Sequence, residues 1–307
     1  MTLLVIVWGI LASTGRKLRY WVVPTFSVLV IAANIWTLRQ DAADAVNTRG
    51  AGYFYSVVVT MPPGMRATLS IPINGANPES LVLYNERGEP QLSMHNPVTD
   101  AIDARIQSGG TYALREHGLS FADIEAASPL AQQAILRLAS MDIMQGITQE
   151  SGDYFRPDST ITRAELAAAV VLAFNLLDTD APNRFTDISP YYWYYHAVAT
   201  ADNLNLVHGF EDGTFRGGWA ITKEYFVHTM AEALMVYMGY HVPADIESIL
   251  ARFHDRDQLN LWSVSAIALA TSADILIYRE DGLFAPNSVI AREDAAIMLY
   301  RFLNRLW

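Results

Sequence analysis

The chain has 307 residues, no cysteine, 51% hydrophobic residues and a formal charge of −11 at pH 7. The missing cysteines exclude a disulfide framework, a thiol nucleophile and Cys-ligated metal. The acidic balance argues against general adhesion to nucleic acid or to an anionic membrane, so an anionic ligand has to be met by a local basic groove.

Residues 1–45 read as a signal peptide or membrane anchor. Arg16-Lys17-Leu18-Arg19 is a basic patch, and Trp21 to Trp36 is an apolar run of 16 residues, short of the roughly 20 that a membrane-spanning helix needs. Ala43-Asp44-Ala45 closes a polar stretch as an A-x-A-like cleavage site. Thr2 to Ala12 is a second apolar run upstream. Either the true start lies downstream of Met1, or the two runs form a membrane hairpin. A cleaved export signal is the expectation and a retained anchor the alternative. A buried soluble helix would make the basic patch and the cleavage site coincidences.

Residues 46–118 read as a small β-rich spacer domain. Tyr53 to Val59 is β-branched and aromatic and is followed by the breaker Pro62-Pro63-Gly64. Ala67–Ile73 and Ser80–Tyr84 are further strands. Glu86-Arg87-Gly88-Glu89 is a turn leading to a strand near Gln91–Met94. Ala101–Ile106 and Thr111–Arg115 read as a closing hairpin around Ser108-Gly109-Gly110. No His pair, carboxylate pair or glycine-rich phosphate loop stands out. A spacer is expected, with binding of an unknown partner as the lesser alternative.

From Leu119 onward one module is written three times. Phe121-Ala122-Asp123, Phe185-Thr186-Asp187 and Phe253-His254-Asp255 each begin a unit. An Ala-aliphatic pair follows at Ala134-Ile135, Ala197-Val198 and Ala266-Ile267. Twelve residues after each Ala stands Gly146, Gly209 or Tyr278. Phe155, Phe215 and Phe284 then open a turn that ends, eight residues on, in a cation: Arg163, Lys223 and Arg292. Internal repeats at this spacing decide the architecture before any single residue does.

Each unit reads as helix, loop, helix. In the first, Pro129–Met141 and Thr162–Leu177 are the helices, with a Gly/Asp-containing loop over residues 146–158. Thr162 with Glu165 is a capping box, so a helix starts at Arg163. The second copy, Thr222-Lys223-Glu224-Tyr225, lacks the capping Glu, and the third, Ala291-Arg292-Glu293-Asp294, lacks the hydroxyl. Two short helices cannot bury a core alone, so the three units are expected to share a pseudo-three-fold axis. The expected chain is mainly α, preceded by the small antiparallel β segment. The Asp-Gly loops supply too few ligands for an EF-hand, and His196, His208, His228, His241 and His254 show no H-x-x-x-H spacing. His228, on an apolar helix, reads as a partnered core residue. No metal or cofactor is expected.

The three cations stand where the helix dipole opposes them. They either pair with local acids such as Glu165, Asp158, Glu224, Glu293 or Asp294, which is worth about 0–1 kcal/mol when exposed, or they build an anion site with first-turn N–H groups. Trp193 and Trp262 occupy matching places, four residues before the Ala-aliphatic pair. They either pack in the core or touch a ligand. Trp219 lies just before Thr222.

The order F-x-D-I, aromatic-rich helix, G-[IFY]-x-D-G-x-F, then I-T-R-A-E resembles the S-layer homology repeat. The resemblance covers Leu119 to Trp307, divided as residues 119–180, 181–243 and 244–307. It implies a three-lobed helical prism with grooves between lobes. In it the T-R-A-E basic residue meets a pyruvyl carboxylate of a secondary cell-wall polysaccharide, and a Trp stacks on sugar. Thr162, Arg163, Glu165, Lys223, Arg292, Trp193 and Trp262 are the ligand-binding residues so implied. The implied protein is a secreted, non-catalytic cell-surface anchor, with no nucleic-acid partner and membrane contact only through an uncleaved N-terminal segment. The alternatives are a lattice subunit, a peptidoglycan binder, or an accessory part of a wall-active hydrolase. Against the last, residues 46–118 offer no pair of positioned carboxylates.

Overall fold

The computed structural model describes residues 55–60, 67–73 and 76–305. The reading of residues 1–45 and the Pro62-Pro63-Gly64 breaker lie outside the described residues. Among those described, no helix is long and apolar enough to cross a membrane. The chain divides into two compact units after Leu119.

The first unit holds strands β1 (Tyr55–Val59), β2 (Ala67–Pro72), β3 (Leu81–Tyr84), β4 (Ser93–Asn96), β5 (Ala101–Ile106) and β6 (Gly110–Glu116). They form two antiparallel three-stranded sheets, ordered β1-β6-β3 and β2-β5-β4. Alternation decides which side chains face inward. In β2, Ala67, Leu69 and Ile71 are buried, and Leu69 and Ile71 stand opposite Ala104 and Ile102. In the other sheet Val57 pairs with Tyr112 and Leu83 with Leu114. These residues from both sheets share one core cluster.

The predicted hairpins are corrected here. β5 and β6 lie in different sheets, as do β3 and β4. The chain crosses between sheets so that Ile102, Ala104 and Ile106 meet Tyr112 and Leu114 across a common interior. A hairpin within one sheet would leave that apolar face without a partner.

The second unit carries helices α1 (Pro129–Ser140), α2 (Arg163–Ala173), α3 (Tyr195–Asn203), α4 (Lys223–Met238), α5 (Ile246–Leu250), α6 (Val264–Ser272) and α7 (Arg292–Asn304). The first repeat also holds a hairpin of β7 (Ile147–Gln149) and β8 (Gly152–Tyr154), where the sequence suggested only a loop. The expectation of a mainly α chain is therefore overturned. The described residues are 33% helical and 18% strand, with three antiparallel sheets.

Helix pairing runs between repeats. α2 of the first repeat packs on α3 of the second, α4 of the second on α6 of the third, and α7 of the third returns to α1. The ring also closes through backbone hydrogen bonds among three buried isoleucines. Ile161 N–H donates to Ile290 O (3.1 Å), Ile290 N–H to Ile221 O (3.2 Å), and Ile221 N–H to Ile161 O (3.3 Å). No repeat holds its second helix against its own first helix alone, which is why a single copy could not bury a core.

The repeated Phe and Gly have a shared packing reason. A methyl built on Gly209 would stand 2.2 Å from the Phe185 ring and 2.9 Å from Thr214 O; on Gly146 it would stand 2.4 Å from Phe121. In the third copy Tyr278 instead stacks on Phe253, centroids 6.3 Å apart.

Candidate ligand-binding junctions between the repeats

The F-x-D aspartate of each unit clamps the turn that opens at the second Phe. Asp123 accepts from the Phe155 and Arg156 N–H groups at 2.9 and 2.7 Å. Asp187 accepts from those of Phe215 and Arg216, both at 2.7 Å. Asp255 accepts from those of Phe284 and Ala285 at 2.8 and 2.7 Å. The second residue of each pair is left-handed, with φ of 61° at Arg156 and 57° at Arg216 and Ala285. The carboxylate offsets that strain by holding two adjacent donors.

The clamped turn of one repeat caps the second helix of the preceding repeat. Arg163 N–H donates to Trp219 O and Ala164 N–H to Gly217 O, both at 2.9 Å. Lys223 and Glu224 N–H groups donate to Ser288 O (2.8 Å) and Pro286 O (3.2 Å). Arg292 and Glu293 N–H groups donate to Ser159 O (2.8 Å) and Pro157 O (3.0 Å). The alternative of an anion site on free first-turn N–H groups loses its first two donors, because carbonyls from the next repeat already occupy them.

The cations cross the same boundary. Arg163 donates from Nε to Phe215 O (2.9 Å) and from Nη2 to His208 O (2.5 Å). Arg292 donates from Nε to Phe155 O (3.0 Å) and from Nη2 to Gln145 O (2.7 Å). Lys223 has no Nε and makes one long bond, to Ile277 O at 3.4 Å. Each cation also lies over the Phe that opens the turn, at 4.6 Å for Arg163 and Arg292 and 5.0 Å for Lys223. Burial pushes the Lys223 and Arg292 pKa values down. Their first task is to join repeats.

Their acid partners differ. Arg292 forms an ion pair with Glu165, whose other oxygen accepts from Thr162 N–H and Oγ in the capping box. Among the described residues neither Arg163 nor Lys223 has a carboxylate within ion-pair distance. Arg163 lies instead among rings, 5.0 Å from the Phe210 centroid and 5.5 Å from that of Tyr225.

The seven residues named from the sequence are thus spread over three junctions. Arg163 and Trp193 belong to the first, Lys223 and Trp262 to the second, and Arg292, Thr162 and Glu165 to the third. Trp193 is 71% exposed and stands edge-on to Tyr194 at 5.3 Å. Tyr194 approaches Gly217, where a methyl would be 3.4 Å from its ring and 3.2 Å from Ala164 Cβ. The core alternative for Trp193 therefore does not hold. Trp262 is 49% exposed and meets the His228 ring edge-on at 4.7 Å. Nδ1 of His228 is buried and has no hydrogen-bond partner among the described residues. The expectation of a partnered histidine is corrected, and burial holds its pKa below the ordinary value.

Three groups were not among the ligand-binding residues named from the sequence. Glu224, 2% exposed, fills the second junction: it accepts from Asn260 N–H (2.7 Å), Asn260 Nδ2 (2.6 Å) and Ser263 Oγ (2.5 Å). Its counterpart in the first junction is the small Ala164. Beside Arg163, an open depression of about 490 Å³ is lined by Phe210, Asp212 and Arg216. Arg216 lies between Phe210 (3.9 Å) and the half-exposed Trp219 (4.6 Å) and pairs with Asp212 at 2.6 Å. The Thr214 hydroxyl, and then Arg216, hold the Asp212 carboxyl down to about 2. The third group is Tyr225, whose repeat position is held by acids in the other two copies.

The family model described as S-layer homology domain matches residues 120–167 and 184–224. The chain is 26% identical over 253 residues to an amylopullulanase of Thermoanaerobacterium thermosulfurigenes, covering 80% of this chain and 13% of that protein. It is 26% identical over 202 residues to exoglucanase XynX of Acetivibrio thermocellus, covering 65% and 18%. A cellulosome-anchoring protein of Acetivibrio thermocellus matches at 27% over 161 residues, covering 50% and 34%. The matched stretch is a minor part of each of these relatives.

Proposed function

This chain carries S-layer homology domains, and from that premise we propose that it anchors itself non-covalently to the bacterial cell wall by binding an acidic, pyruvylated secondary wall polysaccharide. The observation that carries the reading is Arg163. It is a charged side chain held by two carbonyls, without a carboxylate within ion-pair distance among the described residues, at the junction that also carries the exposed Trp193 and Trp219. A guanidinium so placed offers a charge-assisted bond to a pyruvyl carboxylate. Indole faces offer apolar cover to a sugar ring. No bond is made or broken. The wall is the site of action, and the relatives of this chain include a cellulosome-anchoring protein and long hydrolases.

The test is a titration of the chain with purified wall polymer, before and after Trp193→Ala. Stacking worth about 0.5–1.5 kcal/mol makes the expected loss about two- to twelvefold in affinity. The ring is exposed, so the thermal midpoint should stay put. Unchanged affinity would remove the aromatic wall from the reading.

A further inference from the structure

We infer that the residue three positions into each second helix decides whether the adjoining junction accepts an acidic sugar, and that Tyr225 leaves one junction of the three open. The inference rests on the glycan reading above and adds to it a stoichiometry and a determinant.

The geometry repeats around the ring. The cation at the start of one second helix faces the third residue of the next second helix. For Arg292 that residue is Glu165, and the two form an ion pair. For Lys223 it is Asp294, whose negative field favours the charged ammonium against the effect of burial. For Arg163 it is Tyr225, which presents a ring at 5.5 Å and no charge. The turn-clamping aspartates do not distinguish the junctions, since Asp123, Asp187 and Asp255 do the same work in all three.

Glu165 is therefore an internal carboxylate in the place where a ligand carboxylate would sit. It satisfies Arg292 and, through its other oxygen, caps its own helix. A ligand at this junction would have to displace a side chain that is tethered at effectively high concentration. The second junction is closed twice over. Asp294 screens Lys223, and Glu224 draws the Asn260–Ser263 turn onto the helix start. The first junction has neither obstacle. Tyr225 adds no acid, and Ala164 stands where the second junction has Glu224. A carboxylate entering there supplies the charge that the other two junctions already contain.

The experiment is isothermal calorimetry of the full chain with a pyruvylated monosaccharide and its pyruvyl-free counterpart. The wild type should bind one equivalent of the pyruvylated sugar and none of the other. Tyr225→Glu should lower the affinity at least tenfold. That variant also restores a Thr-x-x-Glu pattern at Thr222, so it is expected to fold. Tyr225→Phe should bind like the wild type, and Glu165→Gln should add a second equivalent. Two or three equivalents in the wild type, or undiminished binding by folded Tyr225→Glu, overturns the inference and leaves the glycan reading standing. No binding by the wild type or by Glu165→Gln overturns the glycan reading and this inference with it.

Discussion

Arg163→Ala is expected to weaken binding of the wall polymer by roughly ten- to a hundredfold, the loss of a hydrogen bond to a charged group at about 1.5–3 kcal/mol. Lys223→Ala should change it less than about threefold. The two positions are equivalent in the repeat, and the difference lies in what surrounds them. Arg163 donates two short bonds to fixed carbonyls, which aim the guanidinium. Lys223 makes a single bond of 3.4 Å and lies in the field of Asp294. Both residues also join repeats, so each variant loses some stability, and affinities have to be measured well below the thermal midpoint. The guanidinium fork sharpens the contrast, because Lys cannot present two parallel donors to a carboxylate. Calorimetry with the purified polymer decides. Equal losses for the two variants would contradict the ranking.

The largest effect on stability is expected at the turn clamps. Asp255→Ala removes a carboxylate that is 7% exposed and leaves the Phe284 and Ala285 N–H groups without an acceptor. The orphaned Phe284 donor is buried and costs about 1–3 kcal/mol, the half-buried Ala285 donor costs less, and a loss of about 2–4 kcal/mol is expected. The turn it holds supplies Pro286 O and Ser288 O to the start of α4, and its strained residue, Ala285, has φ 57°. Releasing the clamp therefore loosens a junction as well as a loop. Asp255→Asn keeps one acceptor oxygen and should lose about half as much. Urea unfolding checks both, as a lower midpoint with an unchanged slope. A midpoint within experimental error of the wild type for Asp255→Ala would mean that the clamp carries little.

Much of this organisation was legible in the chain. The interval from Phe to cation marked three units, and the Thr162–Glu165 pattern marked a helix start that the structure builds as a capping box. These are local signals, set by residues within a turn of one another. What the sequence did not disclose is long-range. Arg292 reaches Phe155 O across 137 positions and Arg163 reaches Phe215 O across 52, and no periodicity announces which repeat a side chain serves. The F-x-D aspartates were visible only as the start of a unit, because their partners lie 28–33 positions ahead. The first-turn N–H groups looked free for the same reason: the carbonyls that fill them come from another repeat.

The mainly α expectation failed on elements of two kinds. The strands from Tyr55 to Glu116 were recognised, yet their division into two sheets depends on a crossing between β5 and β6 that the Gly-rich turn does not reveal. The hairpin at Ile147–Tyr154 hid in a mostly polar segment, where exposed side chains give no alternation to read. Trp193 and Trp262 could not be assigned to core or surface, because a helix-start aromatic has the same spacing in either case. In the structure both are substantially exposed.

The most direct test of the anchoring account is co-sedimentation of the chain with purified cell-wall sacculi, before and after removal of the pyruvyl groups from the secondary polymer. Anchoring through the pyruvyl carboxylate means that the chain pellets with intact sacculi and stays in solution once the pyruvyl groups are gone. Equal pelleting with both preparations would contradict it, and would place recognition in the peptidoglycan or in the aromatic faces alone.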